Sequence, residues 1–240
     1  MQNDNIYEIL IQNILFLDIE TVPEIPSYHE LDDATKYLWD KKAERIRNSE
    51  DEDQQELYHK AGIFAEFGKI VCISCGIVTP EYKIRIKSFA SDNEKELLEN
   101  FKALLNSSYT DKDKLLCAHN GKEFDFPYIA RRMLVNGIML PEILQIAGKK
   151  PWEIRHLDTL ELWKFGDYKN YTSLALLTKI FNIPTPKDDI SGADVHKVYW
   201  EEKNLNRIVE YCQKDVVAII QLFLKYRVEP LVDQSNITFA

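Results

Sequence analysis

Positive charge is in short supply in this chain of 240 residues: 30 lysines and arginines stand against 39 aspartates and glutamates, a formal net charge of -9. That balance excludes a protein that coats long duplex DNA through a general basic surface. It leaves room for an enzyme that grips a few phosphates at one strand end. Long apolar runs are missing too. No stretch reaches membrane-spanning length, and MQNDNIYEIL has neither the basic start nor the long apolar run of a secretion signal. A cytoplasmic protein without membrane contact is expected. The chain has neither a Walker loop nor a dinucleotide fingerprint, so ATP hydrolysis and dinucleotide binding lack support. Cysteine is limited to Cys72, Cys75, Cys117 and Cys212. The first two form a CxxC inside KIVCISCGIV, which reads as a strand, so their side chains go to opposite faces rather than to one metal or disulfide. Cys117 and Cys212 read as small core fillers, and reduced thiols are expected.

The remaining pattern is that of a folded α/β protein. Ile14 to Ile19, Lys69 to Ile77, Tyr82 to Phe89, Leu115 to Ala118 and His156 to Thr159 read as strands. Helical spacing is expected after Asp92, which can cap the run Leu97, Leu98, Phe101, Leu104 and Leu105. Further helices are expected over Glu123 to Asn136, Thr172 to Phe181 and about Leu205 to Arg227, with Pro184 and Pro186 breaking the chain between the last two. This order suits one five-stranded mixed sheet flanked by helices, with the first three strands antiparallel and the fourth and fifth parallel to the first. One domain over 1–240 is expected. A charged helical insertion occupies about 24–64, with Ala34, Leu38 and Trp39 as anchors of one helix and Leu57, Ala61 and Phe64 of another.

Three separated stretches carry carboxylates where packing would prefer apolar groups: Asp18 and Glu20 in ILFLDIET, Asp125 in HNGKEFDFP, and Asp215 beside Tyr211 in YCQKDV. Asp18 and Glu20 share one face at the carboxyl end of a strand, where open α/β sheets place ligands. Each stretch alone has a plain explanation: acids at a strand exit, a helix cap, and an ion pair on an apolar helix. Together they form a set that repels itself unless cations intervene. An all-oxygen donor set suits magnesium or manganese, and two such ions about 4 Å apart serve phosphodiester hydrolysis. Tyr211 is then cast as the group that orients the attacking water, because a phenol with a pKa of about 10 is a poor base at neutral pH.

The pattern resembles the DnaQ-like 3'-5' exonucleases of the DEDD type with a tyrosine in the third motif. More closely, it resembles stand-alone relatives of the proofreading domain of family B DNA polymerases. Asp18-Ile19-Glu20 matches the first motif, Asn120 through Phe124-Asp125 the second, and Tyr211 to Asp215 the third. The resemblance implies a ribonuclease H-like fold and release of nucleoside monophosphates from a 3' end. It implies Asp18 on both metals, Glu20 and Asp215 on the water-activating metal, and Asp125 on the second, largely through water. A single-stranded DNA or RNA 3' end is the implied partner, and a replication or repair protein is the kind of protein it would meet.

Candidate substrate contacts are Asn120, Lys122 and Phe124 at the second motif, Arg131 and Arg132 on the helix after it, and KFGDYKNYTS, where Lys164 and Lys169 flank Phe165, Tyr168 and Tyr171. The DDISGADVH loop with His196 is placed near the site. RNA end trimming, a nucleotide phosphatase and a non-catalytic binding scaffold are the competing functions.

Overall fold

The alternation in ILFLDIETVP decides how the central strand is used. In the computed structural model, which describes residues 5–47, 49, 52–167, 169, 171–184 and 190–240, this segment is β1 (Ile14–Pro23). Then come α1 (Asp33–Ile46), β2 (Gly68–Val78), β3 (Ile84–Ala90), α2 (Glu94–Ser108), β4 (Leu115–Ala118) and α3 (Asp125–Val135). The chain continues through β5 (Leu157–Asp158), α4 (Thr159–Lys164), α5 (Leu174–Ile180), α6 (Val195–Trp200), α7 (Leu205–Tyr226) and β6 (Ile237–Phe239). The sheet order is β5-β4-β1-β2-β3-β6. β1, β2 and β3 are antiparallel neighbours, and β4 and β5 run parallel to β1.

Period-two geometry splits the core into two layers. Leu15, Leu17 and Ile19 point to a cluster with Leu98 and Phe101 of α2 and Phe126, Ile129 and Met133 of α3. Ile14 and Phe16 point the other way, onto Val216, Ile219, Ile220 and Phe223 of α7. Phe16 meets Phe223 edge-on, with ring centroids 5.4 Å apart. Asp18 and Glu20 continue the face that looks at α7. Gly76 of β2, opposite Phe16, lets the helix approach the sheet. A Cβ there would lie 2.9 Å from Ile220 Cδ1 and 3.0 Å from Val216 Cγ1.

The sheet has six strands rather than the five expected, because Ile237–Phe239 pairs in parallel with β3. Three residues with a single buried side chain are too short to show alternation. α6 is also absent from the sequence reading, which has only a loop in that region. Of the three expected anchors of α1, Trp39 is buried, together with Ala43, whereas Leu38 and Ala34 face solvent. Trp39 packs against Tyr58 and Phe67, and its indole N–H donates to the Gln54 carbonyl. Asp92 does not cap α2. Asn93 does, and Asp92 instead accepts from the Tyr199 hydroxyl at 2.7 Å. Tyr168, Pro186, Asp188 and Asp189 lie outside the described residues. Cys72 and Cys75 fall in opposite layers, and all four cysteines are free and buried. No helix among the described residues is long and apolar enough to cross a membrane.

One buried ion pair fixes the last turn of α3, and it overturns the reading of Arg132 as a phosphate contact. Arg132 is buried, and its Nη2 lies 2.6 Å from Glu94 Oε2 while its Nη1 donates to the Ala65 carbonyl. Glu94 also accepts from the Ile70 N–H and from Asn136 Nδ2, so α2, α3 and β2 share one carboxylate. Truncating one partner strands the other charge in a dry interior. Glu94→Ala is therefore expected to cost about 3 kcal/mol or more of unfolding free energy in urea titrations, whereas Glu161→Ala, which breaks a half-exposed pair, costs about 1 kcal/mol or less.

Candidate metal centre

β1 delivers the first two acids. Its pairing with β4 ends at Phe16 and Cys117, which leaves the β4 side of β1 from Leu17 onward without a paired strand among the described residues. Asp125 is buried there, and its carboxylate accepts from the N–H of Ile19, the residue between Asp18 and Glu20. From the opposite layer α7 contributes Tyr211, Cys212 and Asp215. Tyr211 and Asp215 lie one helical turn apart and are hydrogen-bonded to each other. The structure thus brings together Asp18, Glu20, Asp125, Tyr211 and Asp215 from three elements far apart in sequence.

Their electrostatics record the crowding. Burial holds the Asp18 carboxyl well above the usual carboxylate range, and Asp125 and Asp215 push it further, against a hydrogen bond from Cys212. Burial does the same to Glu20, with Asp18 and Asp215 adding to the rise. The Asp125 carboxyl is pushed up to about 8 by burial, with Asp158 contributing, while its own N–H and that of Ile19 oppose the rise. Burial and then Asp215, Glu20 and Asp18 hold the Tyr211 phenol well above its ordinary value, so it stays protonated.

These residues fit a divalent cation. One oxygen of Asp125, Oδ1, is buried with no hydrogen-bond partner, a costly state for a carboxylate unless a cation takes it. One ligand atom each from Asp18, Glu20 and Cys212 lie within 4.8 Å of one another. Close acids in a buried cluster lose their mutual repulsion when a cation enters.

The second-motif residues are held by an acid that sequence reading passed over. Asp158, buried at the end of β5, accepts from the N–H groups of Asn120 at 2.9 Å and Lys122 at 3.1 Å. It also caps α4 through Leu160 and Glu161. The available signal was an acid just before the apolar helical start TLELW. Asn120 sits at φ 65°, a left-handed conformation that the loop needs to turn. Lys122 is not a free phosphate contact, because its Nζ pairs with Glu161 Oε2 at 2.6 Å. Phe124 is half-buried, packing on Tyr128 and the α2–α3 layer. Phe165 is almost fully exposed and left-handed at the end of α4. Lys164 lies in the same helix, and Lys169 is exposed beyond it. Tyr171 is exposed and meets the His119 ring edge-on, with ring centroids 6.4 Å apart. His196 lies on α6, its Nδ1 buried and unpartnered.

Residues 63–234 match a family described as "Predicted 3'-5' exonuclease related to the exonuclease domain of PolB". The matched stretch holds Asp125, Tyr211 and Asp215, and Asp18 and Glu20 precede it. DNA polymerase 1 of Pyrococcus abyssi is 26% identical over 213 residues, which cover 79% of this chain and 27% of the polymerase. The DNA polymerase of Desulfurococcus sp. (strain Tok) is 23% identical over 189 residues, covering 71% of this chain and 24% of that protein. The chain therefore spans about a quarter of the length of these relatives. The family B DNA polymerase from the hyperthermophilic archaeon Pyrobaculum calidifontis superposes with a TM-score of 0.49 at 15% identity, over 88% of this chain and 24% of that one. The chain belongs to the family of predicted 3'-5' exonucleases related to the exonuclease domain of PolB.

Proposed function

We propose that this protein is a metal-dependent 3'-5' exonuclease. It hydrolyses phosphodiester bonds at the 3' end of single-stranded nucleic acid and releases nucleoside 5'-monophosphates. The observation that carries the reading is the meeting of Asp18, Glu20, Asp125 and Asp215 closely enough that burial and one another's charge raise the carboxyls of Asp18 and Glu20. Family membership supports the reaction class, and the polymerase relatives favour DNA as the strand.

Asp18, Glu20 and Asp215 would hold one cation, and Asp18 with Asp125 a second, both of the magnesium or manganese class. When bound, the pair supplies activation of water and neutralisation of the departing oxygen. Tyr211 works through its protonated phenol. It donates its hydrogen to Asp215, which leaves the phenol oxygen free to accept a hydrogen bond from the attacking water and fix its direction. Asp158 works through the backbone, holding the turn at Asn120 and hence the start of the helix that carries Asp125. Tyr171, Phe165, Lys164 and Lys169 are the proposed platform and phosphate contacts for the strand.

The direct assay is release of mononucleotides from 3'-labelled DNA and RNA oligomers with manganese or magnesium. Asp18→Ala is expected to lower the rate by at least about 10²–10³-fold, and excess chelator to abolish it. Full activity in chelator would contradict the reading. Faster cutting of RNA than of DNA would reassign the strand and keep the chemistry.

Tyr211→Phe retains the ring but loses the hydroxyl. Its kcat is expected to fall by about 10-fold or more with little change in KM or in manganese affinity, because the hydroxyl acts on the water and not on the ion. A matching loss of metal affinity in calorimetry would make Tyr211 a structural support for Asp215 instead.

A further inference from the structure

The acid cluster contains one group that a magnesium or manganese site does not use. Cys212 is the neighbour of Tyr211 on α7, and its Sγ lies 3.4 Å from Asp18 Oδ2 and 3.4 Å from the Asp18 carbonyl oxygen. The same thiol is one of three groups, with Asp18 and Glu20, whose ligand atoms all lie within 4.8 Å of one another. The unpartnered, buried Oδ1 of Asp125 adds an independent demand for a cation in this cluster.

Hard ions take oxygen and leave a thiol idle, whereas zinc and cadmium recruit thiolate. A tetrahedral zinc site has Zn–S of about 2.3 Å and Zn–O of about 2.0–2.2 Å, which sets the sulfur–oxygen edge at about 3.5 Å. The separation of Cys212 Sγ from Asp18 Oδ2 already matches that edge. We propose that Asp18, Glu20 and Cys212 form a site for a thiophilic divalent cation of the zinc and cadmium class, which overlaps the hard-cation site and excludes it. Binding forms a sulfur–cation bond and sends the thiol proton to solvent, with no change in oxidation state. Occupation by this ion would inhibit hydrolysis. That consequence rests on the proposed exonuclease reading, whereas the binding itself does not.

The test is a cobalt(II) titration of the metal-free protein, read by absorption, beside calorimetry with cadmium and a thermal shift with manganese. The native chain is expected to show a near-ultraviolet sulfur-to-cobalt charge-transfer band that saturates at one equivalent. Cys212→Ser is expected to lose the band, to weaken cadmium binding by about 10-fold or more, and to release fewer protons on binding. Cys72→Ser, which alters a neighbouring thiol outside the trio, keeps the band. A manganese-induced rise in the melting temperature of Cys212→Ser shows that the variant is folded with its acids in place. Manganese binding without a sulfur band in the native chain would overturn the thiol site alone. Cobalt and cadmium binding unchanged by Cys212→Ser would overturn it equally. Absence of binding by cobalt, cadmium and manganese alike would overturn both this site and the exonuclease reading.

Discussion

Repulsion among carboxylates that the fold holds in one largely buried cluster is the constraint on which the rest of the structure depends. A strand, a helix start and the longest helix of the chain converge to create it, and each is pinned by ordinary packing elsewhere. The apolar half of α7 sits on Ile14 and Phe16, and Gly76 lets it come close. Glu94 and Arg132 hold α3 against α2. These contacts supply the stability that keeps unfavourable charge in place, as functional sites commonly require. A divalent cation changes the sign of the balance, so that the same arrangement becomes a binding site.

Much of this was legible because it obeys short-range periodicity. The period of two in ILFLDIET gives both the partition of the core and the common face of Asp18 and Glu20. The spacing YCQKD places Tyr211 and Asp215 on one face of α7. The strands of the sheet interior and their directions follow from alternation and length. What escaped depended on contacts across the chain. Asp158 looks like a strand-end acid until its bonds to Asn120 and Lys122 are seen. Asp92 and Asn93 are equally good caps in sequence, and the choice is made by Tyr199, more than a hundred residues away. Leu38 has the hydropathy of an anchor but lies on the wrong side of α1 from Trp39. Arg132 looks like a surface cation, and only the fold supplies Glu94. Cys212 is the core filler that the sequence suggests, but its contact with Asp18, 194 positions earlier, could not be seen there.

The contacts outside the acid cluster divide by role. Lys122 and Arg132, the cations nearest the second motif in sequence, are spent on structural pairs. The proposed phosphate contacts lie instead in the stretch after α4, where Phe165 and Tyr171 are exposed. A chain with net charge -9 can bind a strand end in this way, through bound cations and a few local groups rather than a basic surface.

The central claim is most directly tested by the stability of the chelated protein as a function of pH. Asp125 has its ordinary value of 3.8 when unfolded and about 8 in the fold, and Asp18 and Glu20 are raised in the same sense. At these carboxyls the native state therefore holds more protons than the unfolded one, and their contribution to stability falls as pH rises from about 4 to about 8, outweighing the opposite slope of His119, His156 and His196, whose values burial lowers. The melting temperature in chelator should drop across that window, more for the native chain than for Asp125→Asn, and manganese at pH 8 should restore it. A chelated protein whose stability is flat or rising over the window, and unmoved by manganese, would contradict the account.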